Sequence, residues 1–499
     1  MSTFHGLEMA KRALYTQQSA LYTTGHNISN ANTEGYSRQR VNFETLPAYP
    51  SGSRNRPQIP GQLGQGVQAG SVERIRNSFL DLQYRAENSK VGYWETMSNS
   101  LYRMESLLNE PSESGLANTM DKFWQSLQDL AGNPENTGAR KVVIQRGLAV
   151  SDTFNYLQQN LTKMKSDVSN EIDVTISGAN SLLKQINSIN EQIKELEPHG
   201  YLTNDLYDQR DRLVDQLSSV VNIKVTRVPS ADSAPDIAAG LAKIELLQDN
   251  GQPFENPIYL INPENPDEEL GQFEVTEDKE VFFGNTEITE LPSGSLKALI
   301  DVHGKSTPDE DTVSFELMLQ NLDKLAKTFV NAFNAQHREG TGMNEAVAGD
   351  FFQYNETTGV MTVVEDIVND PNLIAASLTN KNGNGDNALE LGKVFDHVFN
   401  EAVGQEPAIG NGNSIKSYYE GLIGTLGVAA QESNRMTNNT TVLRSQVEEQ
   451  RMSISSVSLD EEMTNMIKFQ QAYNAAARNM TAIDEMLDRI INNLGIVGR

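Results

Sequence analysis

The strongest constraint in this sequence is a seven-residue step near its C-terminal end. Leu459, Met466, Tyr473, Met480, Leu487 and Leu494 fall seven apart, and Phe469, Ala476, Ile483 and Ile490 fill a companion row. Apolar residues at this spacing share one helix face, so the segment reads as a long amphipathic helix that must hide its stripe against a partner. At 1.5 Å per residue the run from 459 to 494 spans roughly 54 Å. Ser458 followed by Glu461 is a capping-box signature at its start, and Gly495 suits its C-cap. The opposite end of the chain carries a weaker copy of the pattern. Leu7, Leu14, Leu21 and Ile28 also step by seven, with Ala10, Gln17 and Thr24 between them. One strong row with a small or polar companion does not hold a dimer alone, but it packs on a stronger seam. The two ends are therefore expected to pair with each other.

Between them the periodicity changes several times. Residues 41–76 hold Pro47, Pro50, Pro57 and Pro60, which break any helix, before GVQAGSVERI alternates like a strand. Helical spacing returns from about Ser78 to Glu110 and from Leu116 to Leu130. It then runs from Arg140 to Leu196, with Leu157, Leu161, Met164, Val168, Ile172, Ile176, Ala179, Leu183, Ile186, Ile189, Ile193 and Leu196 recurring at helical spacing. A pattern this long suggests a bundle rod. Alternation begins again at VNIKVTRV and continues in short pieces to about 297, separated by DNG, NPENPDEE and TEDK. Helix returns near Phe315 and again at Ile415, where MTNNTT reads as an interruption. The expected fold is mainly α with an inserted β-rich module: paired, coiled-coil-like N- and C-terminal helices, a long helical-bundle rod and a small β domain. The expected boundaries are 1–40 for the N-terminal axial helix and turn, 41–221 for the outgoing rod, 222–297 for the β-rich insert, 298–434 for the returning rod and 435–499 for the C-terminal axial helix.

Chemistry finds little support. The chain has 499 residues and no cysteine, which excludes disulfides, thiol catalysis and zinc–thiolate sites. Its six histidines, His5, His26, His199, His303, His337 and His397, show no metal-binding spacing. In DLYDQRDRLVD, the residues Asp205, Asp208, Asp211 and Asp215 alternate with Arg210 and Arg212, and mixed signs at these spacings read as a solvated helix face. GQLGQGVQAG lacks the Lys-Ser/Thr of a phosphate loop, and NGNGDN lacks calcium-loop spacing. No catalytic, metal or cofactor-binding residue is expected, and the chain reads as a non-enzyme with no cofactor. The net charge of −27 argues against nucleic acid and anionic lipid as partners. No run of about 18 apolar residues suggests a membrane span. The first twenty residues lack the apolar core of a cleaved signal peptide, so the plain reading is cytoplasmic, and an external protein would need another route.

The first helix ends in GHNISNANTEGYSRQ, residues 25–39. Asparagines there can bond nearby backbone, and Gly35 allows a positive φ. The stretch ALYTTGHNISNANTEGYSRQRV resembles the N-terminal motif of bacterial flagellar rod, hook and hook-associated proteins. NDLYDQRDRLVDQLS and SLDEEMTNMIKFQQAYNAAARNMTAIDEMLDRIINNLG are similar to segments of the hook-associated members that join hook to filament. The resemblance implies a structural subunit, needed for filament assembly and exported without a cleaved signal to the extracellular flagellum. It implies as partners other copies of the chain in a ring-like assembly, hook protein, hook-associated protein 3, and a cytoplasmic export chaperone on the C-terminal helix. Another axial component, such as hook-associated protein 3 or a distal rod protein, or a cell-wall hydrolase carried to the flagellum, are the competing readings. The expected subunit interface is Leu7, Leu14, Leu21 and Ile28 on the first helix, Tyr36 and Arg38 in the turn, and Leu459, Met466, Phe469, Tyr473, Met480, Ile483, Leu487, Ile490 and Leu494 on the last.

Overall fold

The computed structural model describes residues 4–50, 61–108, 115–265, 270–304, 312–399, 409 and 412–493. Its helices are α1 (Phe4–Ser29), α2 (Ser78–Leu108), α3 (Leu116–Gly132), α4 (Thr137–Leu196), α5 (Asn204–Val220), α6 (Ser295–His303), α7 (Phe315–Glu339), α8 (Glu365–Asn369), α9 (Asp386–Lys393), α10 (Ile415–Ser455) and α11 (Leu459–Asn493). Its strands are β1 (Gln39–Thr45), β2 (Val67–Arg74), β3 (Ile223–Val228), β4 (Leu241–Leu246), β5 (Tyr259–Ile261), β6 (Phe273–Val275), β7 (Val281–Phe283), β8 (Thr286–Glu287), β9 (Phe352–Asn355) and β10 (Val360–Val363). The fold is mainly α with small antiparallel sheets, and the two terminal helices pair. Two compact units divide it: residues 1–88, 179–272 and 441–499 form one, and 89–178 with 273–440 form the other.

In the first unit α1 and α11 run antiparallel. A Cβ on Gly6 would meet Ile483 Cδ1 at 3.3 Å, while Asn27 reaches Glu462 at 3.1 Å, so a step up one helix matches a step down the other. The residues of α1 that lie deepest are not its leucines. Ala10, Thr16, Ala20, Thr24 and Asn27 are buried, whereas Leu7, Leu14, Leu21 and Ile28 are half-buried. Small side chains sit deepest because α1 is approached from a second side by the hairpin β1–β2. There Thr16 Oγ1 donates to Val67 O at 3.3 Å and His5 Nε2 to Gly64 O at 3.2 Å. Phe43 of the same hairpin meets Phe469 edge-on, with centroids 5.9 Å apart. The sheet β3–β4–β5 packs its apolar residues Leu241, Ile244, Leu246, Leu260 and Ile261 inward.

The second unit centres on an aromatic cluster. Phe123 of α3, Phe329 and Phe333 of α7, Phe351, Phe352 and Phe395 pack in tilted and edge-on pairs with centroids 4.8–6.0 Å apart. Such pairs contribute beyond their buried area by about 1 kcal/mol each. The sheet β6–β7–β8 belongs to this unit. The strands read between 222 and 297 thus form two three-stranded sheets. Alternation marks a strand but says nothing about which strand it joins. The stripe on α4 is buried from Leu157 to Ile193 as its spacing predicts, except at Met164, which is half-buried, while Leu196 at its end is exposed.

One local expectation fails. MTNNTT does not interrupt the helix, since α10 runs unbroken from Ile415 to Ser455. Thr437 Oγ1 and Thr440 Oγ1 donate to Ser433 O and Met436 O, both at 2.8 Å, which folds the hydroxyls back onto the helix instead of competing with it. The break falls instead at 456–458. The hairpin β9–β10 also went unread, because its four-residue strands lie in a stretch rich in glycine and asparagine.

Candidate functional site

The stretch after α1 turns the chain out of the helix and back across the junction of α10 and α11. Gly35 has φ +77°, the left-handed conformation the turn reading required. Asn27, in the last turn of α1, uses every hydrogen-bonding position of its carboxamide. Its Nδ2 donates to Gln39 O at 2.8 Å and to Glu462 Oε2 at 3.1 Å. Its Oδ1 accepts from Gln39 N at 2.9 Å and from the Tyr36 hydroxyl at 2.8 Å. With the phenol proton committed to Asn27, His26 Nδ1 donates to the Tyr36 oxygen at 3.0 Å. Burial, and behind it the charges of Asp205, Asp208 and Glu462, push the Tyr36 phenol above its ordinary range, so it stays a donor.

Arg38 ties the turn to the start of α11. Its Nε donates to Glu462 Oε1 at 2.8 Å and its Nη1 lies 2.6 Å from Glu461 Oε2. The side chain of Glu462 is 3% exposed and that of Glu461 61%. Both carboxylates sit in the first turn of α11, where the helix dipole favours negative charge. The Arg38 N–H donates to Ser455 O at 2.8 Å, closing the last turn of α10. The capping box expected at Ser458 and Glu461 is opened by this arrangement. Ser458 Oγ takes the Glu461 N–H at only 3.5 Å, and the Glu461 carboxylate goes to Arg38 instead of back to Ser458. One short segment, 36–39, therefore holds the end of α1, the end of α10 and the start of α11.

Behind the turn lies a cluster that overturns the solvated-face reading of 205–215. Asp208, Arg210, Asp211 and Asp215 are all buried; of the group, Asp205 and Arg212 face solvent. Arg74 bridges Asp208 at 2.7 Å and Asp211 at 3.0 Å. Arg76 joins Asp81 at 2.7 Å and Asp211 at 3.4 Å. Arg85 and Arg451 reach Asp215 at 2.8 and 2.7 Å, and Arg227 pairs with Asp211. The arginines come from β2, β3, α2, α10 and the residues after β2, so no spacing within α5 could announce them. Burial alone would raise the Asp211 carboxyl, but Arg76, Arg74, Arg210 and Arg85 hold it well below the usual range. The Asp208 carboxyl is raised by burial, with Arg74 opposing. Arg210 is lowered to about 10 by burial. Ser37 N donates to Asp208 Oδ2 at 3.0 Å and Gln39 Nε2 to Asp205 Oδ1 at 3.0 Å, which fastens the turn to α5.

Three family models match. The flagella basal body rod protein model covers residues 7–36, the C-terminal model of the flagellar basal body rod FlgEFG proteins covers 448–494, and the helical domain of flagellar hook-associated protein FlgK covers 101–352. Flagellar hook-associated protein 1 of Bacillus subtilis is 42% identical over the full length of both chains. The chain belongs to the flagellar hook-associated protein 1 family. Its Escherichia coli relative of that name is 24% identical over 97% of this chain and 98% of its own. The solved structure of the flagellar hook junction protein FlgK from Burkholderia pseudomallei shares the fold, with a TM-score of 0.57 at 13% identity over 76% of this chain and 100% of that one. In this member of the hook-associated protein 1 family, the two rod-type segments are the two halves of the joint: Asn27 and Tyr36 lie in one, Glu461 and Glu462 in the other.

The residues expected at a subunit interface occupy different environments. Met466, Phe469, Tyr473, Met480 and Ile483 are half-buried on the side of α11 that meets α1 and the hairpin. Leu487 is 7% exposed and packs within the chain. Leu459 and Ile490 are 48% and 42% exposed, and Leu494 lies outside the described residues. Tyr36 and Arg38 are half-buried and bonded within the chain. Asn27 is read from the sequence only as a turn asparagine and Glu461 only as a capping residue; Glu462 carries no reading there, and the acidic pair beside the expected cap is its signal.

Proposed function

We propose that this chain is a non-catalytic structural subunit of the flagellar axial assembly at the hook–filament junction, joined to other subunits through its terminal helices. The observation that carries this reading is the incomplete cover of an ordered helix pair. While α1 and α11 pack on each other, Phe4, Tyr15 and Tyr22 of α1 and Leu459, Met463, Ile467, Met486, Ile490 and Ile491 of α11 remain exposed. Apolar side chains repeated along a helix face gain by burial against a further partner. On this reading the partners are further copies of the chain, hook protein and hook-associated protein 3, with an export chaperone covering α11 in the cytoplasm before the protein reaches the extracellular flagellum. The half-buried rows from Leu7 to Ile28 and from Met466 to Ile483 form the inner side of the pair, and the exposed residues form its outer side. The strong negative charge, −27, favours solubility of unassembled subunits. No helix among the described residues is long and apolar enough to cross a membrane.

The test is complementation of a bacterium lacking its own copy. Versions carrying Met463→Asp with Ile467→Asp, or lacking α1, are expected to be made and to leave bare hooks without filaments by electron microscopy. Normal filaments with either version would remove the basis for assembly through these helices.

A further inference from the structure

Small sheets in this chain have more edge than interior, and exposed edges invite strand addition from another molecule. At four places one helical asparagine takes up strand backbone groups that no neighbouring strand pairs. Asn155 of α4 donates through Nδ2 to Met361 O at 2.8 Å and accepts the Met361 N–H at 2.9 Å. Asn334 of α7 donates to Phe352 O at 2.7 Å and accepts from the N–H groups of Phe351 and Phe352 at 2.9 and 3.0 Å. Asn190 of α4 does the same to Ala242 of the central strand β4, beyond the residues that pair with β5, at 2.9 and 3.0 Å, and Asn27 to Gln39 of β1. In each case the carboxamide reproduces the donor and acceptor that a neighbouring strand residue would present.

The hairpin β9–β10 shows the consequence most fully. Phe352 lies opposite Val363 and Met361 opposite Tyr354 in the register, and their outward backbone groups point to opposite edges of the hairpin. Asn334 fills one edge and Asn155 the other. We propose that these asparagines are edge plugs: each acts as a one-residue surrogate strand that closes its sheet to pairing with a strand of a second copy of this chain. Asn27, Asn190 and Asn334 are buried, so an apolar residue there would leave strand groups unsatisfied. Closed edges matter for a chain with exposed apolar helices, because contact between copies is then directed away from the sheets. This proposal goes beyond the axial role and does not need it.

The test uses the full chain with Asn155→Leu, which removes both bonds to Met361 and keeps a side chain of similar length. Size-exclusion chromatography with light scattering over rising protein concentration reads association. The variant is expected to move from the wild-type peak to dimers and larger species. Asn155→Asp, which keeps the acceptor and loses the donor, should associate less. Adding Thr362→Lys, at an exposed position of β10, should return Asn155→Leu to wild-type elution, since lysine on an edge strand blocks strand addition. Leu157→Ala, a buried position on the same helix, controls for lost stability alone. Wild-type elution of Asn155→Leu at every concentration overturns the proposal. So does equal association by Leu157→Ala, or association that Thr362→Lys does not relieve.

Discussion

Replacing Arg38 by alanine tests whether the joint is held by its charges. The substitution removes two contacts. The one to Glu461 reaches a carboxylate that is 61% exposed, and a pair of that kind contributes about 0.5 kcal/mol. The one to Glu462 reaches a carboxylate that is 3% exposed and that, among the described residues, keeps the Asn27 amide alone once Arg38 is gone. Leaving a buried carboxylate short of its charged partner costs about 2–3 kcal/mol. The sum is about 3 kcal/mol, or roughly a hundredfold change in a local opening equilibrium at 1.36 kcal/mol per factor of ten. Hydrogen exchange measures this at two amides of the joint: Arg38 N–H, bonded to Ser455 O, has to be read in Glu462→Gln, and Gln39 N–H, bonded to Asn27 Oδ1, in both variants and in the double variant. The Gln39 amide should exchange roughly a hundredfold faster in Arg38→Ala. Glu462→Gln should cost less, because glutamine still accepts from Asn27, and the double variant should fall short of the sum by about 2 kcal/mol. Unchanged exchange at Gln39, or effects that add to within about 0.5 kcal/mol, would refute the reasoning.

Asp211→Asn should lower the urea midpoint of the first unit by the equivalent of about 3–5 kcal/mol, since it strips the common partner from Arg74, Arg76 and Arg227. Because the Asp211 carboxyl is held below its unfolded value of 3.8, its stabilisation is complete above that pH and is lost as pH falls below it; the difference between wild type and variant should shrink there. His337 is fully buried, with Nδ1 donating to Gly349 O at 2.8 Å and Nε2 accepting the Ala375 N–H at 3.0 Å. Burial lowers it from 6.5 to about 4, so the unfolded chain binds the extra proton and wild type should lose about 3 kcal/mol between those two values, a slope absent from His337→Gln in acid-dependent unfolding. Gly240→Ala places a Cβ 2.2 Å from Val228 O at a φ of +66°, and thermal unfolding should show a loss of about 2 kcal/mol or more.

How much was legible follows a physical division. Heptad spacing alone identified α11 and α1, because a helix repeats its faces at a fixed interval whatever surrounds it. The same logic placed the buried stripe of α4, and the asparagine- and glycine-rich run after α1 marked a turn whose Gly35 has the positive φ such a turn uses. These are local properties, determined by side-chain size, polarity and backbone freedom within a few turns. What tertiary structure decided depends on residues far apart in the chain. Asp208, Asp211 and Asp215 look solvated on their own helix and are buried because arginines arrive from β2, β3, α2 and α10. The short strands between 222 and 297 divide into two sheets because each finds a different core. Glu462 becomes the floor of the joint only when Arg38 and Asn27, more than four hundred positions earlier, are brought beside it. A charge reveals its partner only when the fold removes the water between them.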